Sequence, residues 1–259
     1  MQNILTKERQ LEVKLAENQL EIERTLSLRY EIFNEELNEG LPESKETKKD
    51  RDEYDYYCDH LIVIDKKQDS IVGTYRILKG SIAKKNIGFY SENEFDLSSI
   101  YKLQDEVAEI GRGCVKKEYR DGSVISLLWK GLADYIKKNN IRYLMGCGSF
   151  HTNDSTVISE AYAYFKKKNY LISEGLRVKP RNDKVLNNFR NDLEIKNLRE
   201  VARKIPPLIN SYLFIGAKIG GEPAYDEIFK TTDFFIFFDV LKITERYGER
   251  YLGNKEKSI

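Results

Sequence analysis

A carboxylate and a guanidinium, Glu109 and Arg112, stand inside the stretch 109–115, which otherwise holds apolar residues and glycine. Burying such charges costs free energy unless they are paired or used in a function. In a regular strand the two side chains point to opposite faces, whereas Gly111 and Gly113 favour a β-bulge that redirects one of them. The stretch is therefore either a functional site or a buried ion pair that stabilises the sheet.

A second candidate is the turn Arg120-Asp121-Gly122-Ser123, which precedes a predicted helix. The N-terminus of a helix carries unpaired backbone N–H groups and the positive end of the helix dipole, so it suits a phosphate group. Ser123 is a good N-cap residue. Many turns of this composition bind nothing, and an ordinary strand-to-helix connection is the alternative.

The third candidate is an acidic loop at 50–60. Asp52 and Asp55 are three residues apart, and Asp59 stands at the start of a predicted strand. Carboxylates in this arrangement would suit a cationic substrate. Turn and helix-cap roles are the alternative, because aspartate is favoured at both positions.

Other reactive side chains are few. The cysteines Cys58, Cys114 and Cys147 are too widely spaced for a CxxC metal site, and Cys114 and Cys147 fit best as small buried apolar residues. The two histidines, His60 and His151, are not near a recognisable nucleophile elbow. We therefore expect no metal and no covalent enzyme intermediate.

Composition limits the class of protein. The chain has 259 residues, of which 41% are hydrophobic and 33% charged, and no uninterrupted apolar run exceeds five residues. A membrane-spanning helix needs about 20, and the N-terminus lacks the apolar core of a signal peptide, so we expect a cytoplasmic globular protein. The pI near 7.6 is far from the strongly basic value typical of nucleic-acid binding.

Charge is unevenly distributed despite a net value of +1. Residues 31–60 hold eleven acidic and four basic residues, while 163–204 hold twelve basic and five acidic ones. Such runs are usually solvated faces. The basic segment 163–204 would alternatively attract an acidic partner protein or an anionic membrane surface.

Hydrophobic periodicity predicts an α/β domain with helices that flank a mixed sheet. We expect one domain over 1–259, with a lead-in at 1–17 and a C-terminal elaboration from about 190. Predicted helices cover 18–38, 155–168 and 206–219, and a further helix of about 16 residues follows the N-cap Ser123 and ends in Lys137-Lys138-Asn139-Asn140. Predicted strands cover 61–65, 71–78, 106–115, 142–150 and 232–241. The first two strands form a hairpin, and strand–helix–strand over 106–150 is a parallel crossover.

Several segments of the chain, in their order and spacing, resemble a known family. The chain is similar to the L-ornithine Nα-acyltransferases of ornithine lipid synthesis, often labelled hemolysin-like. They belong to the GNAT-like acyltransferase superfamily, which also includes the acyl-homoserine-lactone synthases. The resemblance is carried by the segments 29–33, 52–63, 73–78, 109–112, 127–132, 206–208, 212–213, 216–217 and 221–226.

The resemblance implies a role for each matching residue. The lactone synthases carry an Arg and a Phe four apart, two Asp three apart, a strand Arg, and Glu-x-Ser-Arg. Here Gly111 replaces that serine, a departure that favours the ornithine branch. The implied catalytic residues are Glu109 and Arg112. The implied substrate-binding residues, with Asp59 added from the acidic loop, are Arg29, Phe33, Asp52, Asp55, Asp59 and Arg76.

The implied reaction moves a long, 3-hydroxylated acyl chain from acyl carrier protein to the α-amine of ornithine and gives lyso-ornithine lipid. Glu109 would be the general base, directly or through water, and a bulged strand would supply N–H groups for the oxyanion. The donor phosphopantetheine would lie at Arg120, Gly122 and Ser123. That turn departs from the usual GNAT pyrophosphate signature because its glycine comes one residue early, which favours carrier protein over coenzyme A.

Two alternatives remain from the sequence. One is an acyltransferase with another amine acceptor, including a lactone synthase. The other is a non-catalytic protein that binds acyl chains or a membrane surface. We also expect a peripheral contact with the inner face of the membrane through 163–204 if that segment does not dock the carrier protein.

Overall fold

A computed structural model describes residues 9–242 of the chain. Its strands, β1 to β10 in chain order, are Leu11–Leu15, Asp59–Asp65, Ser70–Lys79, Phe95–Asp96, Val107–Val115, Tyr143–Phe150, Lys179–Pro180, Lys218–Ile219, Ala224–Asp226 and Thr231–Asp239. Its α-helices, α1 to α7, are Gln19–Tyr30, Ser44–Thr47, Gly80–Ala83, Ser123–Lys138, Ser155–Lys167, Leu198–Lys204 and Pro207–Ile215. The predicted class is confirmed: a mixed, mostly antiparallel sheet with one parallel pair, accompanied by helices.

The described residues fall into two compact units. The first comprises 9–77 and Arg112–Tyr135, and the second comprises Leu78–Gly111 and 136–242. Strand β5 therefore runs from the second unit into the first. The single-domain prediction for the whole chain stays a prediction.

In the first unit β1, β2 and β3 pair as an antiparallel ladder, with Val13 opposite Val63 and Leu61 opposite Tyr75. The hairpin of β2 and β3 confirms the prediction. Strand β1 was not predicted, because residues 1–17 were interpreted as a lead-in. Its alternation of apolar and charged residues is the ordinary strand signal, but it extends over only five positions.

Helix α1 packs on this ladder. Asn18 caps it by accepting a hydrogen bond from the backbone N–H of Glu21 at 3.0 Å. Leu28 and Ile32 join Ile62 in a buried cluster. The α-helix ends at Tyr30 and continues as a π-helix over Glu31–Glu36, so the predicted helix 18–38 is confirmed with a change of winding.

In the second unit β5 pairs with β6 in parallel, and β10 pairs with β6 in antiparallel orientation. The β5–α4–β6 succession confirms the predicted crossover, and α4 begins at Ser123, the residue predicted as its N-cap, and ends at Lys138. Aromatic rings fill the core, where Phe234 lies 5.6 Å from Phe150 and 5.2 Å from Phe165 between ring centroids.

The predicted helix 206–219 is too long. Helix α7 ends at Gly216, whose φ of +111° is left-handed, and β8 follows at once. Glycine adopts this conformation without the steric cost that a side chain brings, so it ends the helix inside an apolar stretch. The predicted strand 232–241 corresponds to β10, and the last part of the C-terminal elaboration lies outside the described residues.

Within residues 9–242 no helix combines the length and the apolarity that crossing a bilayer requires.

Candidate active site

Strand β5 carries Glu109 and Arg112, and its backbone is irregular between them. Parallel pairing with β6 covers Val107 to Glu109. Arg112 has φ of +50°, in the left-handed region that a residue with a side chain seldom adopts. Such a conformation costs about 1–2 kcal/mol and is usually held by surrounding contacts. The strand irregularity predicted from the two glycines is therefore present at Arg112.

The carboxylate of Glu109 is buried and oriented by a neighbouring 3₁₀ turn, Tyr90–Asn93. Its Oε2 accepts a hydrogen bond from the backbone N–H of Tyr90 at 2.6 Å. Its Oε1 accepts from the backbone N–H and the hydroxyl of Ser91, at 2.8 and 2.5 Å. These donors stabilise the ionised form, which a general base must have before it accepts a proton.

The register of the second unit places more polar groups on the face that carries Glu109. Glu109 is opposite Met145 on β6, so Cys147, two residues on, shares that face. On β10 Phe235 is opposite Cys147, and Asp233 is therefore its diagonal neighbour. Strand register alone thus aligns three side chains from three strands.

Glu94 completes this group. It directly precedes β4, whose Phe95 packs on Phe235 with ring centroids 5.9 Å apart. Cys147 Sγ lies 3.4 Å from the Ser91 hydroxyl and donates to Glu94 Oε1 at 3.6 Å. One ligand atom from each of Glu94, Cys147 and Asp233 lies within 4.8 Å of the other two. We call these three residues the acidic cluster.

The acidic cluster is buried and lacks a compensating cation. Glu94 and Asp233 are 2% and 5% exposed, and neither forms an ion pair within residues 9–242. Glu94 Oε2 and Asp233 Oδ1 have no hydrogen-bond partner among the described residues. Buried acceptors without partners are uncommon in folded proteins, so these two oxygens require an explanation.

The pKa values of the three residues in the acidic cluster are raised, in keeping with this lack of positive charge. Burial raises the pKa of Glu94 well above its ordinary value, and the nearby Asp233 and Asp226 raise it further. Burial likewise raises the pKa of Asp233 to about 6, although hydrogen bonds with Ser149, Thr231 and Glu94 oppose the shift. Burial raises the pKa of the Cys147 thiol, and Glu94 adds to the effect.

The first unit holds a different arrangement around Arg29 in the last turn of α1. Its guanidinium is fully buried, with Nη1 2.6 Å from Asp55 Oδ1 and Nη2 2.9 Å from Asp50 Oδ1. Arg76 on β3 contacts Asp52 at 2.5 Å and Asp55 at 3.3 Å. We call these residues, together with Arg112, the ionic network.

The ionic network contains equal numbers of positive and negative groups. Burial alone would raise the pKa of Asp55, but Arg29 and Arg76 more than offset it and hold that pKa well below the usual range. For Asp50 burial is likewise outweighed, by Arg112 and Arg29, and its pKa is lowered. Three guanidinium groups thus face three carboxylates among the described residues of this network.

Asp52 and Asp55 also shape the local backbone. The two form a reciprocal capping box at the start of the 3₁₀ helix Glu53–Tyr56. Neighbouring His60 is buried, and burial lowers its pKa, so the ring is neutral and has a structural role. This geometry favours the turn-and-cap interpretation of the acidic loop, because its carboxylates already have cationic partners.

Arg112, Phe33 and Asp59 each have a defined contact. Arg112 Nη2 lies 2.9 Å from Asp50 Oδ1, and its guanidinium stacks over the Phe33 ring at 4.9 Å from the centroid. These contacts hold the left-handed residue in place. Asp59 lies apart from the network's ion pairs and accepts a 2.6 Å hydrogen bond from the Tyr135 hydroxyl.

The predicted donor site at the start of α4 has internal partners. Arg120 makes a bidentate pair with Glu36, at 2.5 and 2.7 Å. Asp121 accepts from the backbone N–H and the hydroxyl of Ser123, at 3.0 and 2.6 Å, and these bonds lower its pKa to about 2. Helix α4 begins at Ser123, so Gly122, with φ of +96°, occupies the cap position that was predicted for Ser123. A carboxylate of the chain already lies where a phosphate was expected.

The structure therefore places the predicted site residues in separate groups. Arg29, Asp52, Asp55, Arg76 and Arg112 meet in the ionic network, and Phe33 stacks on it. Glu109 belongs to the second unit with Ser91 and the acidic cluster. Sequence reasoning missed Ser91, Glu94 and Asp233, and it interpreted Cys147 only as a small apolar residue. An Asp among four phenylalanines on a buried strand was the one available signal.

Comparison with known proteins agrees with this fold. Residues 28–130 match the family model described as an acetyltransferase (GNAT) domain. The acyl-homoserine-lactone synthase LasI superposes with a TM-score of 0.52 at 10% identity, over 95% of this chain and 97% of that one. FeeM, an N-acyl amino acid synthase from uncultured soil microbes, also gives 0.52 at 10% identity, over 90% and 92%. At such low identity these structures establish the fold alone.

The chain is thus an acyltransferase of the GNAT type. An L-ornithine N(alpha)-acyltransferase of Agrobacterium fabrum is 36% identical over 95% of this chain and 87% of its own length. Enzymes of the same name from Rhizobium meliloti and Brucella abortus are 34% and 33% identical, each over 93% of this chain and 84% and 88% of theirs. The chain belongs to the L-ornithine N(alpha)-acyltransferase family.

Proposed function

We propose that this protein transfers a long 3-hydroxyacyl chain from acyl carrier protein to the α-amine of L-ornithine, giving lyso-ornithine lipid. Its relatives are named as L-ornithine N(alpha)-acyltransferases, which supports ornithine as the acceptor. The observation that carries the chemistry is the buried Glu109 carboxylate, oriented by Tyr90 and Ser91.

The proposed reaction needs a base and no covalent intermediate. Glu109 takes the proton that the attacking amine loses, directly or through one water. The C–N bond forms, the C–S bond of the thioester breaks, and the leaving sulfur takes a proton. Backbone N–H groups at the β5 irregularity stabilise the oxyanion. Arg112, tied to Asp50, acts in this scheme as a positioning residue that maintains the bend.

Carrier protein is the proposed donor because the expected pyrophosphate site has internal partners. Coenzyme A would have to displace Glu36 from Arg120 and compete with Asp121 at the start of α4. A carrier protein adds affinity through its own surface, and the basic segment 163–204 is the proposed docking region. Lys166, Lys167 and Lys168 in this segment are exposed. The same surface is the proposed contact with anionic lipid.

The test is a purified-enzyme assay with 3-hydroxyacyl carrier protein and single amino acids, with N-acyl products identified by mass spectrometry. We expect acyl-ornithine. The variant Glu109→Gln should lose at least about 100-fold in kcat/KM, whereas Glu106→Gln, an exposed glutamate just before β5, should retain activity.

Other outcomes correct particular parts of the proposal. Product with a different amine would show that ornithine is not the acceptor. Equal turnover with the coenzyme A thioester would overturn the proposal that carrier protein is the donor. Normal turnover by Glu109→Gln would overturn the assignment of the base. A protein that binds lipid but forms no product with any thioester would contradict the proposed reaction.

A further inference from the structure

The acceptor that the proposed function requires carries two amines. The α-amine must reach the base, and the side-chain ammonium keeps its charge at neutral pH. A buried ammonium needs nearby carboxylates and hydrogen-bond acceptors for its three N–H groups. The question is which carboxylates of the chain are able to receive it.

The ionic network does not fit this role. Its carboxylates already contact Arg29, Arg76 and Arg112, so an added ammonium would have to displace a buried guanidinium. Breaking a buried ion pair is strongly unfavourable. The charges of the acidic loop that the sequence favours for a cationic substrate are thus balanced by the chain itself, although Asp50 Oδ2 has no hydrogen-bond partner among the described residues.

The acidic cluster differs from the network in its charge balance, because its carboxylates have no cationic partner among the described residues. Glu94 Oε2 and Asp233 Oδ1 are buried acceptors without partners among the described residues. Asp226 and Glu109 also contribute negative potential at Glu94, and no lysine or arginine in residues 9–242 forms an ion pair with Glu94 or Asp233. An ammonium placed there would supply the missing positive charge and the missing donors.

The position of the cluster relative to Glu109 suits a diamine. Glu109 and Glu94 are connected through Ser91 and Cys147 by contacts of 3.6 Å or less. Glu109, Cys147 and Asp233 share one sheet face by register. The two nitrogens of extended ornithine are about 6 Å apart by ordinary bond lengths, so the proposal requires the ammonium site to lie at about that distance from the reacting amine.

We propose that Glu94 and Asp233 bind the side-chain ammonium of the acceptor and so select a diamino acid, an inference that rests on the proposed function. Cys147 lies beside them as a neutral thiol.

The experiment compares ornithine with norvaline, which has the same carbon chain without the terminal amine. A site built to hydrogen-bond a polar group rejects the analogue that lacks it, so wild-type enzyme should prefer ornithine by a large factor. Glu94→Gln and Asp233→Asn should each lower the ornithine-to-norvaline ratio of kcat/KM by about 100-fold. The matched control Asp96→Asn, an exposed acid two residues from Glu94, should leave that ratio unchanged.

The ratio of kcat/KM for ornithine to that for norvaline does not depend on partial unfolding of a sample, because both substrates are turned over by the same folded fraction of the enzyme. If wild-type enzyme acylates no ornithine, the proposed function fails. If it acylates ornithine and both variants keep the wild-type ratio, this inference alone is overturned. A stoichiometric divalent metal in purified wild-type protein that is absent from both variants would also overturn it.

Discussion

Two buried groups of charged side chains, one in each compact unit, differ in how their charge is balanced. In the ionic network three arginines face three aspartates, and the pKa values of Asp50 and Asp55 are held low. In the acidic cluster two carboxylates and a thiol face no cation among the described residues, and all three pKa values are raised.

The difference separates structure from function. A balanced group is complete in the folded chain, so its energetic role is to support the fold. An unbalanced group is destabilising until a ligand arrives, which is the usual condition of a binding site. The network is therefore expected to determine stability, and the cluster to determine which amine is used.

The largest expected effect comes from breaking the ionic network. Arg29→Met should lower the free energy of unfolding by about 3–5 kcal/mol, because it leaves Asp50 and Asp55 buried without their shared partner. Arg24→Met on the same helix is the control, since Arg24 is partly exposed and pairs with exposed Asp69. That change should cost no more than about 1 kcal/mol. Urea unfolding measures both.

Equal losses in the two variants would contradict the comparison. They would mean that the buried network contributes no more to stability than a surface ion pair.

The next largest effect is a gain in the free energy of unfolding, which depends on pH, when a carboxylate of the acidic cluster is removed. Because the pKa of Asp233 is raised to about 6, the folded state binds more protons than the unfolded state between about pH 4 and 6. Stability from this group is present below pH 4 and is lost as pH rises through about 6. Asp233→Asn should therefore gain about 2 kcal/mol relative to wild type between pH 4 and 7.

Thermal and urea unfolding across that pH range, with Asp96→Asn as control, would measure the gain. The pKa of Asp96 is lowered, by hydrogen bonds from Ser98, so its variant should show no such gain. If the difference in free energy of unfolding between Asp233→Asn and wild type did not change with pH, the cluster would carry no buried charge.

The smallest effect is expected at Gly111, where the lactone synthases carry serine. A Cβ built there meets no atom within 4 Å, and the residue does not have a positive φ. Gly111→Ser should change the free energy of unfolding by less than about 0.5 kcal/mol. By contrast Gly113→Ser should destabilise, because its Cβ would lie 2.2 Å from the Tyr75 ring. Similar stability losses in both variants would contradict this geometry.

Elements with strong local signals were predictable from the sequence. Helix α4 was predicted to within about two residues at each end, because Ser123 and Lys137-Lys138-Asn139-Asn140 are typical of helix termini. Strand β1 is too short for its alternation to be distinctive. Helix α7 was extended past Gly216 because an apolar stretch continues beyond the glycine that ends it.

The candidate site was predictable only where local pattern or family resemblance applied. Glu109 and Arg112 were noticed as charges inside an apolar strand. The acidic cluster depends on the pairing of β6 with β10, which are separated by about 80 residues, and on Glu94 in an irregular segment. Long-range register is not encoded in local periodicity, so Cys147 and Asp233 gave no sign that they meet.

The most direct measurement of the central claim is calorimetric binding of ornithine and norvaline near pH 7 in buffers of different ionisation enthalpy, which counts the protons released. Both ligands carry the same α-amine, so their difference reports the side-chain site. Because the cluster binds protons in the free enzyme, ornithine should release up to about one proton more than norvaline. Equal proton release by the two ligands would contradict the claim that the acidic cluster receives the ammonium.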